Sequence, residues 1–385
     1  MLSQQELESH QLASAEDNGP EKFNGDFTGK DIISVGQFSN LKELETIFVL
    51  ADAMKEIVEP EEKTGQEVTD PRLQELKHAL RFSGVAEIFY QPSTRTFTSF
   101  QSAAHWLGCQ RIVAIQGMDY SSHTKGESLR DTVKTIQQTT ASNLLILRHP
   151  DDSSSLEAAH HLSIPVINAG SGRNEHPTQA ILDAYTIRES LGRLDDLTVT
   201  MTGDLRNGRT IKSLAKLLAL DAQNVKFNFI APEAIQMQQD IIDDLSAKGA
   251  KIHIGGNGDL DDAIRSSDVL YATRIQSEWF EIQAIEDLRQ SLGDKFDKLS
   301  PDTRERLARE LGQAEYAKAA EGYIIDSQRL KESKSNMIIM HPLPRVGEIT
   351  YDVDDDLRAV YIRSQMRNGL YTRMALLSLV LGKQI

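Results

Sequence analysis

The chain has 385 residues, of which 39% are hydrophobic and 26% charged, a composition typical of a globular protein with two domains of ordinary size. Its formal net charge of −15 argues against nonspecific binding to nucleic acid or to an anionic membrane. We expect no secretory signal and no membrane span, because the N-terminus lacks a basic or apolar segment and the apolar stretches are short. The single cysteine, Cys109, excludes an internal disulfide and favours a reducing compartment, so we expect a cytoplasmic location.

Short apolar runs alternate with helical patterns along most of the chain and predict two series of buried strands. The predicted strands are 85–90, 111–115, 144–147 and 165–168 in the first series and 198–201, 225–230, 251–254, 269–271 and 337–340 in the second. Strands separated by helices predict parallel sheets made of right-handed βαβ units. The predicted fold is therefore α/β, with two doubly wound parallel-sheet domains joined by helices.

The helical patterns and the polar N-terminus complete the predicted organisation. Helices are predicted to start near Phe97, Ser128, Ser155, His176 and Ser300, the last with Pro301 in its first turn. Apolar residues at helical spacing over 366–381 predict an amphipathic C-terminal helix. The expected division is a mobile tail (1–28), a first domain (29–178), a second domain (179–358) and a C-terminal helix that returns to the first domain (359–385).

The segment Ser93-Thr94-Arg95-Thr96 lies between a predicted strand and a predicted helix. Open α/β sheets bind ligands at the carboxyl ends of their strands, and a helix N-terminus there offers unpaired N–H groups to a phosphate. The hydroxyls and the arginine add further donors. Taken alone, the same pattern fits an N-capping cluster beside a surface arginine equally well.

This segment resembles the carbamoyl-phosphate signature of the aspartate and ornithine carbamoyltransferase family, and the resemblance runs from about residue 30 to 385. Arg148-His-Pro and the segment from His176 to Gln179 follow later strands in the family's order. The resemblance implies that the first domain binds carbamoyl phosphate. The implied ligand-binding residues are Ser93, Thr94, Arg95, Thr96, Arg148, His176 and Gln179.

The polar segment Ser121-Ser-His-Thr-Lys-Gly-Glu127 resembles the family's mobile loop that reaches into a neighbouring subunit. The resemblance implies that Ser121 and Lys125 serve the neighbour's site, and hence a homotrimer with shared active sites. Without the resemblance, the segment fits an ordinary polar loop. The sequence leaves open whether regulatory chains or a dihydroorotase bind as further partners.

Two arginines in the second domain suit a substrate with two carboxylates, because each can hold one carboxylate in a bidentate pair. Arg209 follows strand 198–201, and Arg274 and Gln276 follow strand 269–271. The resemblance implies that these residues and Leu343 bind aspartate, together with Lys125. The motif His341-Pro-Leu-Pro-Arg resembles the members that use aspartate, whereas ornithine members carry a cysteine there.

The implied reaction moves the carbamoyl group of carbamoyl phosphate to the amino group of L-aspartate, as in pyrimidine biosynthesis. Arg95, Thr96 and His176 are the expected stabilisers of the oxyanion, and Lys125 is the expected catalytic residue from the neighbouring subunit. We expect no cofactor and no metal, because the leaving phosphate can accept the amine proton and the histidines lack ligand spacing.

Two features depart from the family pattern: Phe97 stands where a second arginine is usual, and the segment 277–340 is long. One alternative is a carbamoyltransferase for another acceptor, such as ornithine or an acylated relative. Arg209 and Arg274 argue against a cationic acceptor. Another alternative is an inactive homologue that serves as a scaffold, for which Phe97 is the only support at the level of motifs.

Overall fold

The computed structural model describes residues 19–65, 70–117, 122–220 and 223–383. These residues form two compact units. Unit 1 takes its described residues from Met1–Leu194, Lys212–Ala222 and Arg363–Ile385, and unit 2 from Asp195–Ile211 and Gln223–Ile362. The domain boundaries predicted after residues 178 and 358 stay predictions.

Unit 1 is built on a four-stranded parallel sheet with the order β2-β1-β3-β4. Its strands are β1 (Gly84–Phe89), β2 (Arg111–Gln116), β3 (Leu144–His149) and β4 (Val166–Ser171). Every residue of β1 and β4 is buried, as expected for parallel strands that are covered on both faces. Because β1 lies inside the sheet, the turn that follows it is placed among the ends of its neighbours.

Unit 2 is built on a five-stranded parallel sheet with the order β7-β6-β5-β8-β9. Its strands are β5 (Thr198–Thr202), β6 (Lys226–Ile230), β7 (Lys251–Gly255), β8 (Val269–Ala272) and β9 (Ile338–Met340). A buried apolar cluster that includes Ile230, Leu270, Ile339 and Tyr361 lies against this sheet. The strands predicted from the apolar runs are confirmed, and so is the parallel α/β fold.

The helices connect these strands and cover the sheets. In chain order they are α1 (Leu41–Thr64), α2 (Pro71–Leu76), α3 (Thr94–Trp106), α4 (Leu129–Thr140), α5 (Ser154–His161), α6 (Pro177–Leu191), α7 (Arg209–Leu218), α8 (Gln239–Ala247), α9 (Leu260–Ser266), α10 (Ser277–Leu292), α11 (Asp294–Asp297), α12 (Pro301–Ala320) and α13 (Met366–Val380). Short 3₁₀ helices lie at Val35–Gln37, Ser122–Lys125, Glu233–Ile235, Asn257–Asp259, Arg329–Glu332 and Tyr351–Asp355, and a π-helix lies at Tyr361–Gln365. Among the described residues, no helix is both long and apolar enough to cross a membrane.

The C-terminal helix α13 packs against α1, α3 and α6 within unit 1. Tyr371, Met374 and Leu377 are fully buried on it, so its apolar residues supply part of the core of this unit. Arg373 is buried on the same helix and lies over the ring of Phe100, 5.0 Å from its centroid. The predicted return of the C-terminal helix to the first domain is confirmed.

Two helices differ from their predicted limits. Helix α3 begins at Thr94 rather than near Phe97, because Thr94, Arg95 and Thr96 form its first turn after the N-cap residue Ser93. Helix α12 begins at Pro301, and the Ser300 side chain accepts a hydrogen bond from the Thr303 N–H as an N-cap should. This helix continues to Ala320, well beyond the pattern recognised at its start.

Candidate active site

The turn after β1 presents the N-terminus of α3. Ser93 precedes the helix in an extended conformation, and its hydroxyl makes no capping hydrogen bond. Its N–H donates to the Gln116 side-chain oxygen at 3.2 Å, which ties the turn to the neighbouring strand β2. The first N–H groups of a helix have no intrahelical acceptor, so this end of α3 is suited to bind an anion.

Arg95 lies in the first turn of α3 and is exposed. Within the described part of the chain, its guanidinium makes no hydrogen bond or ion pair. Partial desolvation lowers the pKa of Arg95, but an arginine side chain keeps its proton in proteins. Arg95 is therefore a cation available to a ligand beside the helix N-terminus.

Thr96 and His176 lie close together although 80 residues separate them in sequence. Both are buried, and 3.5 Å separates Thr96 Oγ1 from His176 Nε2. The His176 N–H donates to Ser213 Oγ at 3.0 Å. The preceding residue, Glu175, accepts from the Ser34 hydroxyl at 3.0 Å and from the Val35 N–H at 2.8 Å. These hydrogen bonds fix the backbone that carries the imidazole.

Gln179 follows in the first turn of α6 and is buried. Its side-chain Nε2 donates to Asp183 Oδ1 at 2.9 Å. Arg148, near the end of β3, donates to the Ala169 carbonyl of β4 at 3.3 Å, next to a register irregularity between the two strands. The turn after β1, Arg148 and the His176–Gln179 segment thus lie at or after the carboxyl ends of three adjacent parallel strands.

Of the two residues predicted to serve a neighbouring subunit, Lys125 is exposed at the end of the 3₁₀ helix Ser122–Lys125. Ser121 lies outside the described residues, so its predicted role stays a prediction.

In unit 2, the segments after β5 and β8 are held in backbone contact. A Cβ atom at Gly203, where φ is +110°, would lie 2.0 Å from the carbonyl oxygen of Thr273. Only glycine fits this approach without displacement of the chain. The segments that carry Arg209 and Arg274 therefore leave the sheet side by side.

The side chain of Gln276 joins these two segments through a buried carboxylate. Its Nε2 donates to Asp204 Oδ2 at 3.3 Å, and Asp204 is fully buried. Asp204 Oδ1 also accepts from the Asn207 N–H at 2.9 Å, just before half-buried Arg209 begins α7. Arg209, Arg274 and Gln276 thus lie on two adjacent segments that a side-chain hydrogen bond joins.

Arg274 is paired with Glu278 on the first turn of α10. Its Nη1 lies 3.1 Å from Glu278 Oε2, and its Nη2 contacts the other carboxylate oxygen. Burial acts to raise the pKa of Glu278, but hydrogen bonding and attraction from Arg274 prevail and the pKa is lowered. Arg274 thus already holds a carboxylate in the planar arrangement that a substrate carboxylate would use.

The His341–Arg345 segment forms a rigid turn after β9. Buried His341 accepts from the Leu343 N–H at Nδ1, 2.8 Å away, and its Nε2 lies 2.6 Å from Glu348 Oε1. Leu343 has a positive φ of 55° and precedes a cis peptide bond to Pro344. Within the described residues, the carbonyls of Pro342 and Leu343 accept no hydrogen bond, so both can accept from a ligand.

Arg345, the last residue of this motif, is engaged within the protein. Its guanidinium forms two hydrogen bonds of 2.5 Å with Asp354 and one of 3.0 Å with the Tyr361 hydroxyl. It also lies over the ring of Tyr351, 4.2 Å from the centroid. Arg345 therefore fixes the turn to the segment that follows.

Sequence reasoning missed several residues that hold this constellation in place. Asp183 and Glu278 stand four positions after Gln179 and Arg274, a helical spacing that pairs side chains and was visible in the sequence. Asp204 lies 72 residues from Gln276, and no local pattern links them.

Comparison with protein families decides the relationship. Residues 30–189 match the model of the aspartate/ornithine carbamoyltransferase carbamoyl-P binding domain, and residues 195–380 match that of the Asp/Orn binding domain. The chain belongs to the aspartate/ornithine carbamoyltransferase family. The family resemblance inferred from the motifs is therefore confirmed over most of the chain.

Individual relatives agree with this assignment. The aspartate carbamoyltransferase catalytic subunit of Thermococcus gammatolerans is 38% identical over 93% of this chain and 99% of its own length. The chloroplastic aspartate carbamoyltransferase of Arabidopsis thaliana is 39% identical over 92% of this chain and 78% of its own length. Aspartate transcarbamoylase from Trypanosoma cruzi, solved with carbamoyl phosphate, is 34% identical over 92% of this chain and 97% of its own, with a TM-score of 0.75.

Proposed function

We propose that this carbamoyltransferase family member transfers the carbamoyl group of carbamoyl phosphate to L-aspartate, giving N-carbamoyl-L-aspartate and phosphate in pyrimidine biosynthesis. The choice of acceptor rests on Arg274 in the segment Thr273–Gln276. Its guanidinium binds the carboxylate of Glu278, so it is suited to bind a carboxylate of the acceptor in the same way. The same enzyme from Trypanosoma cruzi has been solved with carbamoyl phosphate and aspartate together. A cationic acceptor such as ornithine would find the Glu278 carboxylate already paired with Arg274.

Carbamoyl phosphate binds in unit 1. Ser93, Thr94 and the first N–H groups of α3 take the phosphate, with Arg95 and Arg148 as its counter-charges. The carbamoyl group lies toward His176 and Gln179. Gln179 is suited to accept from the carbamoyl NH₂, because its own NH₂ is already bonded to Asp183.

Attack by the amine places negative charge on the carbamoyl oxygen. Thr96 Oγ1 and His176 Nε2 lie 3.5 Å apart, a separation that allows both to face one oxygen atom. The Thr178 hydroxyl lies 3.4 Å from His176 Nδ1, and donation there leaves the ring proton on Nε2. With Arg95 these groups form the oxyanion-stabilising set, each donor being worth about 3 kcal/mol of transition-state stabilisation.

L-Aspartate binds in unit 2, with its carboxylates at Arg209 and Arg274. The amide oxygen of Gln276 is directed away from Asp204 and can accept from the substrate amine. The carbonyl of Leu343 adds a further acceptor. After the carbamoyl–amine bond forms, the carbon–oxygen bond to phosphate breaks, and the departing phosphate takes the amine proton.

We also propose that the protein forms a homotrimer in which Ser121 and Lys125 complete the neighbouring subunit's site. We propose a cytoplasmic location for it. Lys125 is exposed and so accessible to another subunit. The single, buried Cys109 supports a reducing compartment.

Phosphate release from carbamoyl phosphate, measured with L-aspartate and with L-ornithine in parallel, tests the proposed function. We expect turnover with aspartate alone. Turnover with ornithine but not with aspartate would show that the acceptor is wrong. A folded protein that supports neither reaction would favour the scaffold alternative.

A further inference from the structure

The side-chain amide of Gln179 has a fixed orientation. Its Nε2 donates to Asp183 Oδ1 at 2.9 Å, and the Nε2 of Gln365, in the π-helix before α13, donates to the same oxygen at 2.7 Å. All three side chains are buried. Within the described residues, Gln179 Oε1 accepts no hydrogen bond, so one end of the amide is held and the other is left as an acceptor.

The chemistry of Asp183 explains why only one orientation is allowed. Asp183 is fully buried beside the buried guanidinium of Arg373, with which it interacts electrostatically. An ionised carboxylate only accepts hydrogen bonds, so both glutamines must turn their NH₂ groups toward it. A glutamine amide has nearly the same shape when its oxygen and nitrogen are exchanged, so packing alone does not select between the two orientations.

We infer that Asp183 is a positioning residue that makes Gln179 a hydrogen-bond acceptor and thereby selects a carbamoyl group over an isosteric acyl group. Acetyl phosphate has CH₃ in place of the NH₂ of carbamoyl phosphate and offers Gln179 Oε1 no donor. If the amide turned around, its NH₂ would face the carbamoyl NH₂, and two donors would meet. This inference rests on the proposed function, because it refines how the same site recognises its first substrate.

Two stable phosphonates test this without turnover. Phosphonoacetamide keeps the NH₂ group, and acetonylphosphonate has CH₃ in its place. Calorimetric titration of the full-length protein should show that it binds phosphonoacetamide about five- to tenfold more tightly, as expected for one hydrogen bond in a buried site. In Asp183→Asn the Asn side chain can donate as well as accept, so Gln179 can pair with it in either orientation. The ratio of the affinities for the two phosphonates should therefore fall toward one.

Matched variants distinguish a loss of the Gln179 orientation from general damage to the fold. Thr186→Val alters a buried hydroxyl on the same helix that bonds the Leu182 carbonyl and Asn368 but not Gln179, and it should keep the full preference. Gln179→Met should abolish the preference, and adding Asp183→Asn to it should change nothing further. If Asp183→Asn is not recovered folded, Asp183→Ser, whose shorter side chain cannot reach both amides, replaces it.

The possible results are distinct. A folded Asp183→Asn or Asp183→Ser protein that retains the wild-type preference overturns the inference and leaves the proposed function standing. A wild-type protein that binds both phosphonates equally overturns it as well. A wild-type protein that binds neither phosphonate shows that the carbamoyl phosphate site itself is wrongly assigned.

Discussion

The ring of Phe97 packs edge-on against the ring of Phe89, with 5.1 Å between their centroids and 78° between their planes. Phe89 ends β1 and is fully buried, so the ring of Phe97 packs toward the sheet. The residue that departs from the family pattern is thus part of the packing beneath the proposed phosphate-binding turn.

Phe97→Arg should destabilise the protein without improving phosphate binding. Loss of the aromatic contact costs about 1 kcal/mol, and the half-buried position adds a desolvation penalty for the new charge. Urea unfolding and titration with inorganic phosphate measure both effects, with Phe97→Leu as the control for lost aromatic area. A gain in phosphate affinity of tenfold or more, about 1.4 kcal/mol, would show that the site lacks the family arginine.

Arg95→Ala should lower kcat by roughly 10²-fold, because the contact of its guanidinium with the carbonyl oxygen strengthens as negative charge develops. Steady-state kinetics with both substrates varied gives the value. The control is Arg81→Ala, which removes another exposed arginine of unit 1 and should leave kcat unchanged. An equal loss of kcat in both variants would contradict a specific role for Arg95.

Arg274→Ala should strongly raise the KM for aspartate and leave the binding of carbamoyl phosphate largely intact. Glu278→Gln should lower the same KM, because a substrate carboxylate no longer has to displace the Glu278 carboxylate from the Arg274 guanidinium. Arg265→Ala, which breaks an exposed ion pair with Asp262 in the same unit, is the control. Equal defects for both substrates in Arg274→Ala would contradict its assignment to the aspartate half of the site.

The proposed shared site can be tested with two inactive variants, Arg95→Ala and Lys125→Ala. In a cyclic trimer, every hybrid contains one site with both an intact Arg95 and an intact neighbouring Lys125. Random mixing of equal amounts makes about three quarters of the trimers hybrid, so about a quarter of the native activity should return after dissociation and reassociation. If subunits exchange and activity does not return, Lys125 acts within its own chain.

Glu87, in the middle of β1, should make stability depend on pH. It is fully buried, and desolvation raises its pKa from 4.5 to about 8, against a weaker opposing effect of Arg373. The folded state therefore keeps a proton that the unfolded state releases above pH 4.5, so this group lowers stability as pH rises from about 4.5 to 8.

Glu87→Gln should remove that pH dependence and stabilise the protein at pH 7, by about 3 kcal/mol as an upper limit. Urea unfolding at pH 5 and pH 8 measures the difference, with the exposed Glu75→Gln as the control. The same pH dependence in the wild type and in Glu87→Gln would show that another group causes it.

The strands were predictable because each carries apolar residues in a short run, continuous in β8 and β9 and alternating with polar residues in β5 and β7. Continuous apolar runs are what a parallel sheet covered on both faces favours. The predicted site residues were recognisable as segments at strand ends, and their roles stay predictions. The residues that hold these side chains in place could be predicted from the sequence only in part. The pair Gln179–Asp183 has helical spacing, but i,i+4 pairs are common on helices and do not indicate which of them orient a ligand group. The contact of Asp204 with Gln276 depends on how β5 and β8 pair, which only the folded sheet defines.

The long segment after Gln276 has a mechanical consequence. Helices α10 and α12 pack so closely that a Cβ atom at Gly312 would lie 2.7 Å from the Glu281 backbone nitrogen. Helices in backbone contact of this kind shift together, and Gln276 is the N-cap residue of α10. The helix pair therefore moves as one stiff unit that begins at the proposed aspartate site. With 16 residues, α10 is about 24 Å long. A rotation of about 5° at Gln276 would move its far end by about 2 Å over that length, so a fluorescent label at exposed Ser291 would report a rotation of that size if aspartate binding produced one.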